Sequence, residues 1–210
     1  MAYMVYFVTN KSICGGVVLN ENTVLTAAHC LKDVDDIKLY VGFVNRLVLP
    51  KPTKVYQVII HPEYDEKTLL NDLAIVKIRP LTFTSKIRPI PLYPYVVGEG
   101  APAVVKGWGV QRNGQLAIEL RELQVETHSP QSCVKKYGND FKDALQICAG
   151  DSERDFCIGD SGGPLVVTVE NTEYLVGIVS YTGRFCADGK PSVYTRIFHY
   201  LDWIEQWTKF

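Results

Sequence analysis

The chain alternates short apolar runs with polar breaks. Met4–Val8, Gly16–Leu19, Val24–Ala28, Ile37–Val41, Val55–Ile60 and Leu73–Ile78 are the runs of its first part. Short runs of this kind, rich in β-branched residues and bounded by turn formers, predict strands. Asn20-Glu21-Asn22 is a polar turn between the second and third runs, so those two predict a hairpin. The Gly, Pro and Asn punctuation at these spacings indicates an antiparallel barrel or sandwich. Arg88-Pro89-Ile90-Pro91-Leu92-Tyr93-Pro94 then interrupts the pattern with three prolines in six residues. Proline has no N–H to give a central ladder, so this segment predicts the crossing from a first half to a second.

The second half keeps the β character. Ala103–Lys106 and Leu120–Thr127 read as strands. In the latter, Leu123 and Val125 alternate with Glu122, Gln124 and Glu126, the period of a strand with one buried face. Leu165–Val169 and Tyr174–Ser180 form a further strand pair across Glu170-Asn171-Thr172-Glu173. Ser129–Lys136 predicts a short helix with Pro130 in its first turn. From Phe198 to Trp207, apolar residues recur near helical spacing at Phe198, Leu201, Ile204 and Trp207. That terminal helix is expected to pack and to carry no chemistry.

Composition narrows the field. The 210 residues are 47% hydrophobic, enough for a substantial core. A formal net charge of −1 gives no footprint for nucleic acid or an anionic membrane. No apolar run reaches transmembrane length. Met1–Val8 has neither the basic start nor the small-residue cleavage site of a signal peptide. The six cysteines are Cys14, Cys30, Cys133, Cys148, Cys157 and Cys186. An even count suits an extracellular disulfide framework, and spacing alone leaves all fifteen pairings open. No C-x-x-C spacing suggests zinc. Asn10-Lys11-Ser12 is a glycosylation sequon if the chain is secreted.

The densest chemical signal is Gly159-Asp160-Ser161-Gly162-Gly163-Pro164. A serine among glycines can present its Oγ to a ligand while backbone N–H groups point into the same space. Acyl transfer needs that pairing of a nucleophile with an oxyanion hole. The hydroxyl also needs a base, and the base an orienting carboxylate. Among four histidines, His29 in Thr26-Ala27-Ala28-His29-Cys30 is the candidate base, placed at a strand end with small neighbours. His61 and His128 read as loop residues, and His199 as part of the terminal helix. Asp72 opens the apolar run Leu73-Ala74-Ile75-Val76, where a charge needs partners, and is the candidate carboxylate. The same serine fits the G-x-S-x-G elbow of α/β-hydrolases. That fold wants a helix after the serine and a histidine last in the order, whereas Gly163-Pro164 and a β-branched run follow here.

With His29, Asp72 and Ser161 in that order, the chain resembles the chymotrypsin-like (trypsin family) serine endopeptidases from about Tyr3 to Phe210. Cys14-Gly15-Gly16, Gly107-Trp108-Gly109 and Val193-Tyr194-Thr195 belong to the same resemblance. It implies an all-β fold of two antiparallel six-stranded barrels with a C-terminal helix. The expected divisions are 1–94 for the first barrel, 95–196 for the second and 197–210 for the helix, with the active site in the cleft between barrels. It implies the disulfides Cys14–Cys30, Cys133–Cys148 and Cys157–Cys186. It implies a catalytic triad of His29, Asp72 and Ser161, with the N–H groups of Gly159 and Ser161 as oxyanion hole. No cofactor is expected. Some members bind calcium in the loop corresponding to 43–54, but that stretch has no carboxylate here, so no metal site is expected.

The resemblance also assigns specificity and activation. Asp155 falls at the floor of the primary pocket in the trypsin branch, where a carboxylate favours Arg or Lys of the substrate. Ser180, Thr182 and Ser192 fall on the pocket walls. Thr182 and Ser192 stand where the family usually has glycine, Phe156 is unusual, and the loop 182–186 is one residue longer. Asp160 matches the residue that pairs with a freed apolar amino terminus when family precursors are activated. Cys14-Gly15-Gly16 lies so near Met1 that this segment is expected to be missing from the chain as written, leaving a zymogen-like state. The partners implied are protein or peptide substrates and protein protease inhibitors, for a secreted monomer. The reading from a different class is a catalytically silent homologue serving as a binding or cofactor module.

Overall fold

The computed structural model describes residues 1–111, 113–150, 157–182 and 191–209. Two six-stranded antiparallel sheets form within them. The first holds β1 (Met4–Thr9), β2 (Ile13–Asn20), β3 (Thr23–Thr26), β4 (Ile37–Val41), β5 (Val55–Ile60) and β6 (Ala74–Ile78), in the order β4-β1-β2-β3-β6-β5. The second holds β7 (Pro102–Gly107), β8 (Arg121–Glu126), β9 (Gln146–Ala149), β10 (Pro164–Val169), β11 (Thr172–Tyr181) and β12 (Ser192–Arg196), in the order β8-β7-β10-β11-β12-β9. Three α-helices, α1 (Ala28–Leu31), α2 (Pro130–Tyr137) and α3 (Leu201–Thr208), and two 3-10 turns, Gly138–Asp140 and Ile197–Tyr200, complete the described chain.

The apolar runs become these strands with small shifts at their ends. Two differences have physical causes. The third run stops at Thr26, because Ala27 is extended and Ala28–Leu31 then winds into a single helical turn. His29 therefore stands on that turn and not at a strand end. β9 and β12 were not legible as strands, because neither alternates. All four residues of β9 and all five of β12 are buried. They exist because they pair with each other, Val193 opposite Cys148 and Tyr194 opposite Ile147.

α2 starts as its sequence predicts. The Ser129 hydroxyl accepts the Ser132 N–H at 3.3 Å, and Pro130 occupies the first turn. Gly138 at φ +62° ends it. A Cys133–Cys148 disulfide ties α2 to β9.

The proline-rich crossing is stitched to both sheets by the residues between its prolines. The Ile90 N–H donates to Val18 of β2 at 3.0 Å. The Tyr93 N–H donates to the Leu175 carbonyl at 3.0 Å, and the Leu175 N–H to the Pro91 carbonyl at 2.9 Å. Although it follows the second sheet in sequence, α3 docks on the first. Ile204 is fully buried, and Leu201, Trp203 and Trp207 pack on the core around Leu25 and Ile75. The last carbonyls of a helix lack intrahelical donors. Here Asn20 Nδ2 donates to the Thr208 carbonyl at 3.1 Å and Lys77 Nζ to that of Trp207.

Candidate active site

Asp72 is built in before any chemistry begins. The chain reaches it through a turn with Asn71 at φ +54°, a conformation asparagine tolerates better than most residues. The Asn71 amide donates to the Glu63 carbonyl at 2.7 Å, and its oxygen accepts the Tyr200 hydroxyl at 2.9 Å. Thr195 Oγ1, from β12, donates to the Asp72 carbonyl at 3.1 Å. The carboxylate itself has no exposed surface. Oδ1 accepts the His29 backbone N–H at 2.9 Å, Oδ2 lies 2.7 Å from His29 Nδ1, and Ser180 Oγ donates to Oδ2 at 2.6 Å. Three partners meet the requirement that a buried charge be hydrogen-bonded.

His29 gains its place from the same bonds. α1 has no side-chain cap, and one of its free N–H groups is the one that Asp72 accepts. Burial works to lower the pKa of the ring, but the charge and hydrogen bond of Asp72 outweigh it, and the net displacement is upward. The next residue, Cys30, is bonded to Cys14 on β2. Cys30 Sγ lies 3.7 Å from His29 Nε2. Cys14, His29 and Cys30 thus cluster closely, but both sulfurs are spent on the disulfide, which leaves a single imidazole and no metal-binding set.

Ser161 sits on a turn whose glycines have defined tasks. The residue after Cys14, Gly15, donates its N–H to the Ser161 carbonyl at 2.7 Å. A Cβ on Gly15 would meet Gly163 Cα at 2.9 Å, so the two backbones touch where the sheets meet. Gly162 has φ +77°, and a Cβ there would strike Thr26 Oγ1 at 2.2 Å. The Gly162 N–H donates to Val179 of β11, whose own N–H returns to Gly163 at 2.9 Å. The disulfide Cys14–Cys30 therefore fastens the turn bearing His29 to the strand that abuts Ser161. Gly159 has φ +99°, a conformation a side chain would strain.

Asp160 turns away from Ser161 into a groove of about 360 Å³ lined by Gly107, Gly109, Val110 and Leu123. Its carboxylate occupies the space a Cβ on Gly107 or Gly109 would need, 2.0 and 2.1 Å from its oxygens. That packing explains both glycines of Gly107-Trp108-Gly109. Asp160 accepts the Gly109 N–H at 2.7 Å and the Cys157 N–H at 3.1 Å. Burial nonetheless pushes its pKa up to about 6.

Of the expected pocket residues, Ser180 is buried with its hydroxyl committed to Asp72. Ser192 is fully buried at the start of β12, opposite Ala149. Thr182 is half-buried just past the end of β11. Asp155 and Phe156 lie outside the described residues. So does Cys186, although Cys157 is disulfide-bonded. Sequence reasoning did not find the bonds from Ser180 and Thr195 to Asp72, which span 108 and 123 residues and leave no local signal. Nor did it find the packing of His61 on α3, where its ring lies 4.7 Å from that of Trp203.

Comparison with known proteins agrees with this architecture. The trypsin family model matches residues 1–204. Trypsin epsilon of Drosophila erecta is 38% identical over 202 residues, which cover 92% of this chain and 77% of that protein. Duodenase-1 of Bos taurus is 38% identical over 216 residues, covering 97% and 82%. Trypsin V-B of Rattus norvegicus is 34% identical over 211 residues, covering 97% and 83%. The family match spans nearly the whole chain and includes the turns that carry His29, Asp72 and Ser161, so the chain belongs to the trypsin family of serine proteases.

Proposed function

We propose that the protein is a serine endopeptidase that cleaves peptide bonds after Arg or Lys through an acyl-enzyme. The observation that carries the reading is the buried Asp72 carboxylate, bonded to both Nδ1 and the backbone N–H of His29. A carboxylate so placed holds one tautomer of the ring, with Nδ1 as donor and Nε2 as acceptor. Ser161 Oγ attacks the scissile carbonyl, and Nε2 takes its proton. The imidazolium that forms is stabilised by Asp72 and returns the proton to the leaving amine. Water then repeats the sequence on the acyl-enzyme. The N–H groups of Gly159 and Ser161 receive the oxyanion, a contribution of about 2.7–4 kcal/mol for a single donor in related sites.

The basic preference rests on Asp155, six residues before Ser161 and two before Cys157, at the motif position where the trypsin branch carries the carboxylate of its pocket floor. Thr182 and Ser192 narrow the pocket and slow long side chains. Asp155→Ser is expected to cost basic substrates far more than apolar ones, and Ser192→Gly to raise activity on basic substrates. A peptide-library profile favouring small apolar residues at the cleaved position would overturn the assignment.

Asp160 is the proposed activation partner. A protonated amine entering its groove would meet a carboxylate that backbone N–H groups hold without neutralising, and the ion pair would order the adjacent Gly159 N–H. A free Ile amino terminus is therefore the expected switch from a zymogen-like to an active state. Disulfides and the family's habits support an extracellular site of action, on protein substrates and under protein inhibitors.

Labelling with a fluorophosphonate tests the catalytic reading. Ser161 is expected to react, and Ser161→Ala to abolish both labelling and hydrolysis. A folded chain whose Ser161 stays unlabelled, with or without a free Ile terminus, would point to the binding-module reading instead.

A further inference from the structure

We infer that Asn10 carries an N-linked glycan, and that this glycan stands at the rim of the catalytic cleft, where it admits short peptides and obstructs folded protein partners. Asn10-Lys11-Ser12 is the only Asn-x-Ser/Thr sequence in the chain, and its middle residue is not proline. The modification itself is independent of any activity. Its steric consequence rests on the endopeptidase reading above.

The fold leaves this asparagine available. Asn10, Lys11 and Ser12 are all exposed, on the turn that joins β1 to β2. The turn itself does not need an asparagine. Its bonds come from Thr9, whose N–H donates to the Ser12 carbonyl at 2.9 Å. The Thr9 hydroxyl accepts the N–H groups of Lys11 at 3.1 Å and Ser12 at 2.8 Å. Asn10 is not among the residues at positive φ, the region that favours asparagine. Among the described residues its amide has no hydrogen-bond partner. The Ser12 hydroxyl, which the acceptor pattern also requires, lies 3.5 Å from Thr9 Oγ1 and 4.0 Å from Cys14 Sγ, contacts too long to hold it. Solvent-facing groups that the turn does not use are what a transferase needs.

In the transfer, Asn10 Nδ2 forms a bond to the anomeric carbon of a lipid diphosphate-linked oligosaccharide. The bond from that carbon to the phosphate oxygen breaks, and the lipid diphosphate leaves with the electron pair. The amide gives up one proton to the transferase, and nothing is oxidised or reduced. The place of the glycan follows from the hairpin. The Gly15 N–H donates to the Ser161 carbonyl, and Cys14 is bonded to Cys30, the neighbour of His29. Asn10 is five residues from Gly15, so even an extended chain puts it at most about 18 Å from the contact with Ser161. The tip also borders the segments around His29. Glu66 bonds to Lys32 at 2.9 Å, which holds its carboxyl low, and the charge of Lys11 adds to the effect. Ser180 and Ser192, of the expected pocket walls, lie on β11 and β12 of the other sheet. A bulky, solvated oligosaccharide on the first sheet's hairpin therefore narrows the approach to Ser161 while leaving the pocket open.

The full chain secreted from a eukaryotic cell tests both parts. Digestion with a peptide-N-glycosidase is expected to remove the mass of one oligosaccharide and convert Asn10 to Asp, read by peptide mass spectrometry. Ser12→Ala should yield the lower mass without digestion. Secreted chain with Asn10 unmodified would overturn the inference outright. The steric part is read as two rates on the same material. Loss of the glycan should leave hydrolysis of a basic tripeptide amide by the activated enzyme unchanged. It should raise the association rate of a folded protein protease inhibitor about tenfold, within the range over which on-rates vary at one interface. Trimming the folded protein with an endoglycosidase, which leaves a single sugar, should do the same and replaces Ser12→Ala if that variant is not secreted. Equal association rates before and after trimming would overturn the steric screen. Fluorophosphonate labelling of Ser161 keeps the two readings apart. A glycosylated chain whose serine stays unlabelled counts against the peptidase and supports the modification, and inhibitor association read on a biosensor surface then decides the screen.

Discussion

Asp72 shows how little freedom a single side chain is left. Its two oxygens take three donors, from α1, from the His29 ring and from β11, with no surface exposed. Asp72→Asn keeps the shape but offers an N–H where Nδ1–H must be accepted, so the wrong tautomer is favoured. A loss in kcat of about 10⁴-fold is expected, as in other Ser-His-Asp triads. The pH profile separates this from misfolding. Asp72 holds the His29 pKa above its ordinary value, and the base works only when neutral, so the acid limb of kcat/KM should lie above pH 6.5. In Asp72→Asn only burial remains, and the limb should move to lower pH. A limb that stays in place would show that His29 is not the group being read.

Asp160 is the opposite case, a carboxylate held among the described residues by two backbone N–H groups. Its pKa of about 6 lies above that of an unfolded Asp. A raised pKa means that folding takes up a proton in mild acid. The contribution to stability is full below the unfolded value and is lost as pH rises through about 6. Thermal melts from pH 4 to 7 should therefore decline more steeply for the wild type than for Asp160→Asn. Gly109→Ala should be severe, because its Cβ would overlap the Asp160 carboxylate at 2.1 Å.

At the scale of elements, α3 depends on a histidine that takes no part in the proposed chemistry. His61 packs edge-on to Tyr200 and against Trp203, and its Nδ1 accepts the Glu63 N–H at 3.2 Å. That bond requires a neutral ring, and burial lowers the pKa. For a histidine lowered in the fold, stability is full above the ordinary value and is lost as pH falls through the folded one. Hydrogen exchange over 201–208 should thus accelerate on acidification from pH 7.5 to 5, and His61→Phe should blunt the change. Equal acceleration in both proteins would remove His61 from the account. The cap of α2 is a milder test: Ser129→Ala should cost about 0.5–2 kcal/mol in a denaturant melt.

For the whole molecule, the two sheets are joined by a charged lock beside the glycine contact. Lys106 on β7 is 3% exposed, bonded to Glu122 at 2.9 Å and to Glu173. Tyr3, from the chain just before β1, donates its hydroxyl to Glu173 at 2.8 Å. One residue of the first half thereby meets three of the second. Burial would raise the Glu173 pKa, but Lys106 and Tyr3 outweigh it and hold it low. Lys106→Met should cost about 1.5–3 kcal/mol, the usual worth of hydrogen bonds to a charged group. The extra loss caused by Tyr3→Phe in that background should be smaller than in the wild type.

The polar and apolar pattern by itself determined most of the strands, because residues such as Leu123 and Val125 alternate on one face. It also determined the start of α2, because Ser129 and Pro130 act within one turn. The glycines around Ser161 were legible because the backbone they permit is a local property. Tertiary structure alone decided β9 and β12, whose buried residues become strands only by pairing with each other. It decided that Val24–Ala28 must yield a helical turn, since the free His29 N–H finds its acceptor in Asp72. It also decided that Ser180 faces Asp72 and that Gly107 and Gly109 make room for Asp160. Each of these last contacts joins residues more than forty positions apart. A local pattern records how a segment meets solvent, and it holds no record of which distant donor a buried carboxylate will find.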